Sequence, residues 1–374
     1  MKIKNFILKN FWNKIYTLLL LLLLSYHLDR ELIIINSSES TNESEKAGPK
    51  KIKTVNKLNE IFTNLLLDIR QSININSKYN ENNFYGKFHN KIMLCSIGKE
   101  ENLYAKEFVE YYLTLGFDKI IILDNNDLNG ERFDNVLKPF ITNKKVEIKD
   151  LRGLKQIQLP SFNYCYMKYK YLYDWIAFFD FDEFLYIKNN INIKNYLYNN
   201  KFNKCQQILF NWYIYNDNNL LRYDNRTMIK RFTNLKYYPW RTKFIIRGNL
   251  KNIIILSTSF ATNINYCNSK GELIFPKSFN IPTKENNSYA YLKHFYTKTA
   301  EEYCHKRKRG YAQTLPKQNQ KLSETEINSF FRFNERTPEK MKILEKCNND
   351  KGFYHMKKYK FFRIKMFLLV LSFF

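Results

Sequence analysis

Glycine and proline are scarce, at ten and eight residues in 374. So few breakers argue against a string of short modules and for one large domain with appendages. The six cysteines (Cys95, Cys165, Cys205, Cys267, Cys304, Cys347) form no C-x-x-C pair, which excludes a zinc ribbon or a thioredoxin-like redox site. Their even number permits disulfides without indicating a pairing, and Cys95 and Cys205 lie in apolar runs where a small buried hydrophobe is expected. Acidic residues are also short, 35 against 61 Lys and Arg, for a net charge of +26. The basic residues are spread along the chain rather than stacked in a stripe, and they accompany an excess of Asn, Ile, Tyr and Phe. No nucleic-acid partner is expected from that distribution, whereas a phosphate-bearing substrate suits it.

Residues 1–35 read as a signal-anchor. Lys2, Lys4, Lys9 and Lys14 precede an apolar run from Ile15 that holds seven unbroken leucines, Leu18 to Leu24. The run ends near Leu28, somewhat short of the roughly twenty residues of a spanning helix, and no small-residue cleavage site follows it; a buried core helix is the alternative. Residues 36–90 open with a polar, charged stretch that reads as a stem. The expected setting is a single-pass membrane protein, of Golgi or endoplasmic-reticulum type in a eukaryote or of the cytoplasmic membrane in a bacterium. Residues 316–374 form a helical extension whose basic-apolar tail, from Lys357 to Phe374, suits either an anionic membrane surface or a docked helix.

Between these, residues 91–315 alternate strand and helix. Runs at Lys91–Ile97, Lys119–Leu123, Lys145–Ile148 and Trp175–Phe179 are apolar strands, with helical spacing over Glu101–Leu115 and Asn163–Tyr173 and Gly116 placed as a cap. The fold expected is α/β, with a mostly parallel sheet flanked by helices. Ligands of such sheets sit beyond the carboxyl ends of the strands, which points to Ser96–Glu101, Asp124–Asp127 and Asp180–Glu183. Read as a strand end, Asp180 and Asp182 project to one side about 6–7 Å apart. Two carboxylates there repel each other unless a cation neutralises them, and Mn2+ or Mg2+ with oxygen ligands is the natural choice. A solvated acidic turn is the plain alternative.

Four stretches, in order, resemble the GT-A glycosyltransferases, and more narrowly glycosyltransferase family 92 and family 2-like enzymes, over roughly Lys91 to Ala312. They are Ser96–Asp118, Leu123–Asp127, the D-x-D strand Trp175–Leu185, and Leu292–Gly310, which is similar to an H-Y-x-x-K-S-x-E-E-F segment with a trailing K-x-x-R-G. The resemblance implies a Rossmann-like GT-A fold and transfer of a sugar from a nucleotide-sugar, UDP-sugar by preference, to a glycan or glycoconjugate hydroxyl. It implies contact of Asp124 with the nucleoside and offers His294 as third metal ligand beside Asp180 and Asp182. Lys99, Glu101 and Asn125 share the donor loops, and Lys298 stands four residues past His294, placed for the diphosphate. The basic run Lys306–Arg309 reads as a solvated helical face. Trp212, from an Asn-Trp pair similar to the family's, and Lys243, on one strand face with Arg247, are candidates for the acceptor. For the base that takes the acceptor's proton, Glu183 and Asp217 both stand open. Rival readings are a membrane-tethered nucleotide- or glycan-binding protein without transferase activity and a haloacid-dehalogenase-like phosphatase, which also uses D-x-D at a strand end.

Overall fold

A computed structural model describes residues 90–236, 241–251, 253–258, 260–261, 264–274, 289–310 and 321–347. The expected anchor, stem and basic-apolar tail lie outside them, and among the described residues no helix is long and apolar enough to cross a membrane. In chain order the strands are β1 (Ile92–Gly98), β2 (Lys119–Asp124), β3 (Val146–Asp150), β4 (Trp175–Phe178), β5 (Glu183–Ile187), β6 (Gln207–Ile214), β7 (Thr242–Arg247), β8 (Ile255–Ser257), β9 (Phe260–Ala261), β10 (Tyr266–Cys267), β11 (Leu273–Ile274) and β12 (Ala290–His294). The helices are α1 (Asn102–Leu115), α2 (Asp134–Thr142), α3 (Gln158–Tyr169), α4 (Ile193–Leu197), α5 (Met228–Arg231), α6 (Ala300–Arg309), α7 (Glu324–Phe331) and α8 (Pro338–Glu345).

Apolar strands buried on both faces explain the core. Alternate residues of a strand point to opposite sides. In β1 and β2, Ile92, Leu94, Ile120 and Ile122 pack with Phe108 and Tyr112 of α1. Met93, Cys95 and Ile121 pack on the other side with Phe162, Cys165 and Tyr166 of α3. Gly116 closes α1 in the left-handed region, φ 105°, its N–H bonded to Leu113 O, as the sequence implies. The cysteines depart from expectation: Cys95 is bonded to Cys165, Cys205 to Cys267 and Cys304 to Cys347. Cys95 and Cys205 are thus buried cross-links between elements, because their partners face them from α3 and β10.

The sheet is mixed rather than mostly parallel. Strands β3, β2, β1 and β4 run parallel, but β7 pairs antiparallel with both β4 and β6. A parallel return needs a crossover of a dozen or more residues that covers the sheet face, usually a long helix. Between β6 and β7 the only described helix is the four-residue α5, so β7 returns beside β6. The sheet then curls, since β6 also pairs in parallel with β12, and β12 pairs antiparallel with β5. As a result β1, β2, β4, β6 and β12 all end at one edge, and β7 begins there.

Residues 321–347 pack on the domain through α6: Ala300, Tyr303, Phe330 and Leu344 form a small core stapled by the Cys304–Cys347 bond.

Candidate active site

Between β4 and β5 the chain turns, so Asp180 and Asp182 do not extend a strand as expected. Phe181 anchors the turn. Its ring lies 4.6 Å from Phe108 and 5.1 Å, nearly parallel, from Phe133. Gly98 makes room for it, since a Cβ there would meet the Phe181 ring at 2.6 Å.

The turn parts the two aspartates instead of aiming them at one point. Asp180 accepts from Lys243 Nζ at 2.6 Å, and Asp182 Oδ2 accepts from Lys306 Nζ at 2.6 Å. The carboxylate repulsion that seemed to demand a metal is therefore met by two buried ammonium groups. His294 ends β12 opposite Glu183 of β5, with Nε2 3.6 Å from Asp182 Oδ1. Burial lowers the His294 pKa against the pull of Asp182. Burial works against ionisation of Asp182, yet Lys306 and His294 hold its carboxyl well below the usual range. Among the described residues no three His, Cys, Asp or Glu side chains surround a common metal position. The set Asp180, Asp182 and His294 is thus not a ready cage, because Lys243 holds Asp180 aside. Asp182 Oδ1 and His294 Nε2, 3.6 Å apart, are the two donor atoms that an ion could share here, its other ligands being water and phosphate.

The two candidate bases are placed otherwise than the sequence allowed. Glu183 is wholly buried, and its Oε2 accepts from the Asp180 N–H at 2.9 Å; it braces the turn from inside. Burial, followed by the charges of Asp180 and Asp182, raises its pKa while Lys243 opposes. Asp217 is equally buried and is locked to Lys340 of α8 at 2.8 Å. Neither carboxylate is open to an acceptor hydroxyl, because each is consumed in holding a loop.

On the donor side the sheet edge brings the predicted loops together. Asp124, at the end of β2, is buried and accepts from the N–H and the amide of Asn126; burial pushes its pKa up to about 6. Asn125 spends its amide on Leu154 O at 2.6 Å, so it pins the loop after β3. Lys99 pairs with Asp127 at 2.8 Å. Glu101 is buried between Arg309, which donates to Oε1, and Lys298, 3.5 Å from Oε2. Lys298 is 2 % exposed, lies 4.0 Å over the Tyr104 ring and has φ 54°. A bulky residue in that region stores strain of order 1–3 kcal/mol, a mark of functional sites. Trp212 stands beside His294 with ring centroids 4.3 Å apart, its Nε1 without a hydrogen-bond partner among the described residues. Lys243 lies here too, but Arg247 does not: it sits over Trp175 at the far end of β4.

Lys306 and Arg309 correct the reading of a solvated helical face, since both turn inward. The spacing carried a signal, as Glu302, Lys306 and Arg309 fall at i, i+4 and i+7 on one stripe of α6. Arg231 went unread. It is buried and makes a two-point ion pair with Glu302, at 2.7 and 2.9 Å. Glu302 also accepts from Tyr104 at 2.7 Å and forms a capping box with Thr299 at the start of α6.

The Asp124 carboxyl yields a pH prediction. Its folded pKa lies above the unfolded value of about 3.9, so its contribution is fully present below about pH 4 and is lost as pH rises through about 6. Asp124→Asn keeps an acceptor for Asn126 and should gain about 2–3 kcal/mol at pH 7 over wild type, with no gain at pH 4. Urea melts at both pH values check this; a gain that does not grow with pH refutes it.

A sheet whose parallel strands end in buried acids, an imidazole and a bank of cations gathers its charged groups at its carboxyl edge, where α/β sheets bind their ligands. The profile of glycosyltransferase family 92 matches residues 91–330, well over half of the sequence and past the boundary expected at 315, and the chain belongs to that family. A glycosyltransferase family 92 protein of Ricinus communis is 21% identical over 174 residues, covering 46% of this chain. The chain spans 31% of that relative's length. Among solved structures, S. aureus TarS matches with a TM-score of 0.26 and 13% identity over 42% of this chain and 28% of that one, and its 1–349 fragment with 0.26 and 12% over 42% and 47%.

Proposed function

We propose that this protein transfers a glycosyl group from a nucleotide-sugar, a UDP-sugar by preference, to a hydroxyl of a glycan or glycoconjugate. The observation that carries this reading is the convergence of Lys298, Lys306 and Arg309 with Asp182 and His294 at the edge where the parallel strands end. A diphosphate is the ligand such a bank of buried cations suits. Asp124 receives the nucleoside. Lys298 and Arg309, now sharing Glu101, are poised to donate to the phosphates and to stabilise the charge that grows on the leaving group. Asp182 and His294 would hold Mn2+ or Mg2+, which when bound adds Lewis-acid stabilisation of the same charge. Lys243 and Glu183 keep the turn in place, and Trp212 walls the sugar pocket beside His294. A membrane tether in residues 1–35 belongs to the same proposal.

Calorimetry of UDP and UDP-sugars with and without Mn2+ tests the reading. Binding should tighten about tenfold or more with the ion, and Asp182→Asn should erase most of that gain. An ion effect that survives in Asp182→Asn removes the metal assignment. Binding of UDP-sugar without turnover on any acceptor favours the tethered binding protein instead. Phosphate-ester hydrolysis in place of sugar transfer favours the phosphatase.

A further inference from the structure

We infer that the polar cavity beyond the carboxyl end of β6 binds an uncharged saccharide and receives the acceptor. The saccharide site stands on its own geometry; the acceptor role rests on the transferase proposed above. The cavity measures about 810 Å³, within the roughly 300–1,000 Å³ of small-ligand sites. It lies between the loop after β6, the segment 233–236 and the turn joining α7 to α8.

Its lining is rich in amides: Asn216, Asn219, Asn234 and Asn334. A carboxamide both donates and accepts, which suits the paired donor and acceptor character of sugar hydroxyls. Asn334 uses both ends of its amide on the Asp217 N–H and the Phe330 carbonyl. Asn216 and Asn219 each accept at Oδ1, from the Asn218 N–H and from Lys340, which leaves their NH2 groups to present, together with the amide of Asn234. The wall's charges, Lys236 and Arg332 against Glu335, are of both signs rather than the bank of cations that marks an anion site. Leu235, 44% exposed, offers apolar surface to the C–H face of a sugar ring.

The walls are built rather than accidental. The Asp217–Lys340 pair is buried, and Lys340 also holds Asn219 at 3.0 Å. Asn216 N–H donates to Asn234 O at 3.0 Å. Asn218 and Asn219 both adopt the left-handed region, φ 48° and 58°. Three segments distant in sequence are thereby cross-braced around the space. A buried ion pair adds little net stability, so its use here is positional: it shapes this wall.

The location fits an acceptor. Ile214 of β6 lies in register with His294 of β12, and the cavity begins at Asn216. Phe333 meets Tyr296 at 6.1 Å between ring centroids, and Tyr296 meets His294 at 5.5 Å. One aromatic ring separates the cavity from the residue beside which the donor's sugar is proposed to sit.

Saturation-transfer NMR on the full chain with lactose, maltose and N,N′-diacetylchitobiose, without nucleotide, tests the site. At least one should receive saturation from the wild type. Asn234→Trp, which fills the cavity, should abolish it, and Asn234→Ala should weaken binding by about threefold or more, the worth of a hydrogen bond or two. Thermal midpoints confirm folding, and if the tryptophan variant fails to fold the alanine variant decides. No transfer to any of the three sugars, or transfer unchanged in the folded variants, overturns the inference. UDP binding measured in parallel separates the two readings: a wild type that binds no UDP sinks the transferase, while the saccharide result stands.

Discussion

Arg231→Met should destabilise the domain by about 3–5 kcal/mol, the cost of leaving a buried charge without its partner. The guanidinium spans both oxygens of Glu302, and each residue is at most 2% exposed. Removing it leaves a buried carboxylate whose donors among the described residues are Tyr104 and the Thr299 N–H. Glu302 also starts α6, the helix that carries Lys306 and Arg309, so the loss should reach the site as well as the fold. For a domain of this size the thermal midpoint should fall by roughly 6–20 °C. The double variant Arg231→Met with Glu302→Gln should recover much of the loss, since it removes the stranded charge while keeping an acceptor for Tyr104. A single variant that loses under about 1 kcal/mol, or a double no better than the single, contradicts the account.

Lys298→Ala should lower turnover of the nucleotide-sugar by about 100- to 1,000-fold, the usual cost of deleting one preorganised donor at a developing charge. Stability should hold or rise. Burial lowers the lysine's pKa, its backbone occupies a left-handed conformation, and Glu101 keeps Arg309 when the lysine is gone. Lys298→Gly removes the strain along with the charge and should be the more stable of the two. Loss of activity with stability intact is the pattern of a group used in the reaction. An alanine variant that turns over within about threefold of wild type would move the diphosphate away from Lys298.

The strands are legible in the local pattern of the chain, and so are the acidic turn and His294. The runs at 91–97, 119–123 and 175–179 are strands β1, β2 and β4 within a residue or two, because an unbroken apolar run of that length has few other ways to be buried. The acidic turn and His294 do lie together. The local pattern falls short where an outcome depends on a neighbour distant in sequence. Asp180 and Asp182 suggest a shared ion by their spacing, yet their partners are Lys243 and Lys306, separated from them by 63 and 124 positions. Glu183 and Asp217, the two candidates for the base, are both buried braces, held by the Asp180 N–H and by Lys340.

The alternation of strand and helix, the family, and the sheet edge where the charged loops gather are legible in the order of residues alone, since periodicity and motif order are local properties. The inverted β7, the three cysteine pairings and the lysine that neutralises each aspartate emerge with the folded chain. Those depend on which side chains the curled sheet brings within a few ångströms of one another, and spacing along a chain carries no measure of that distance.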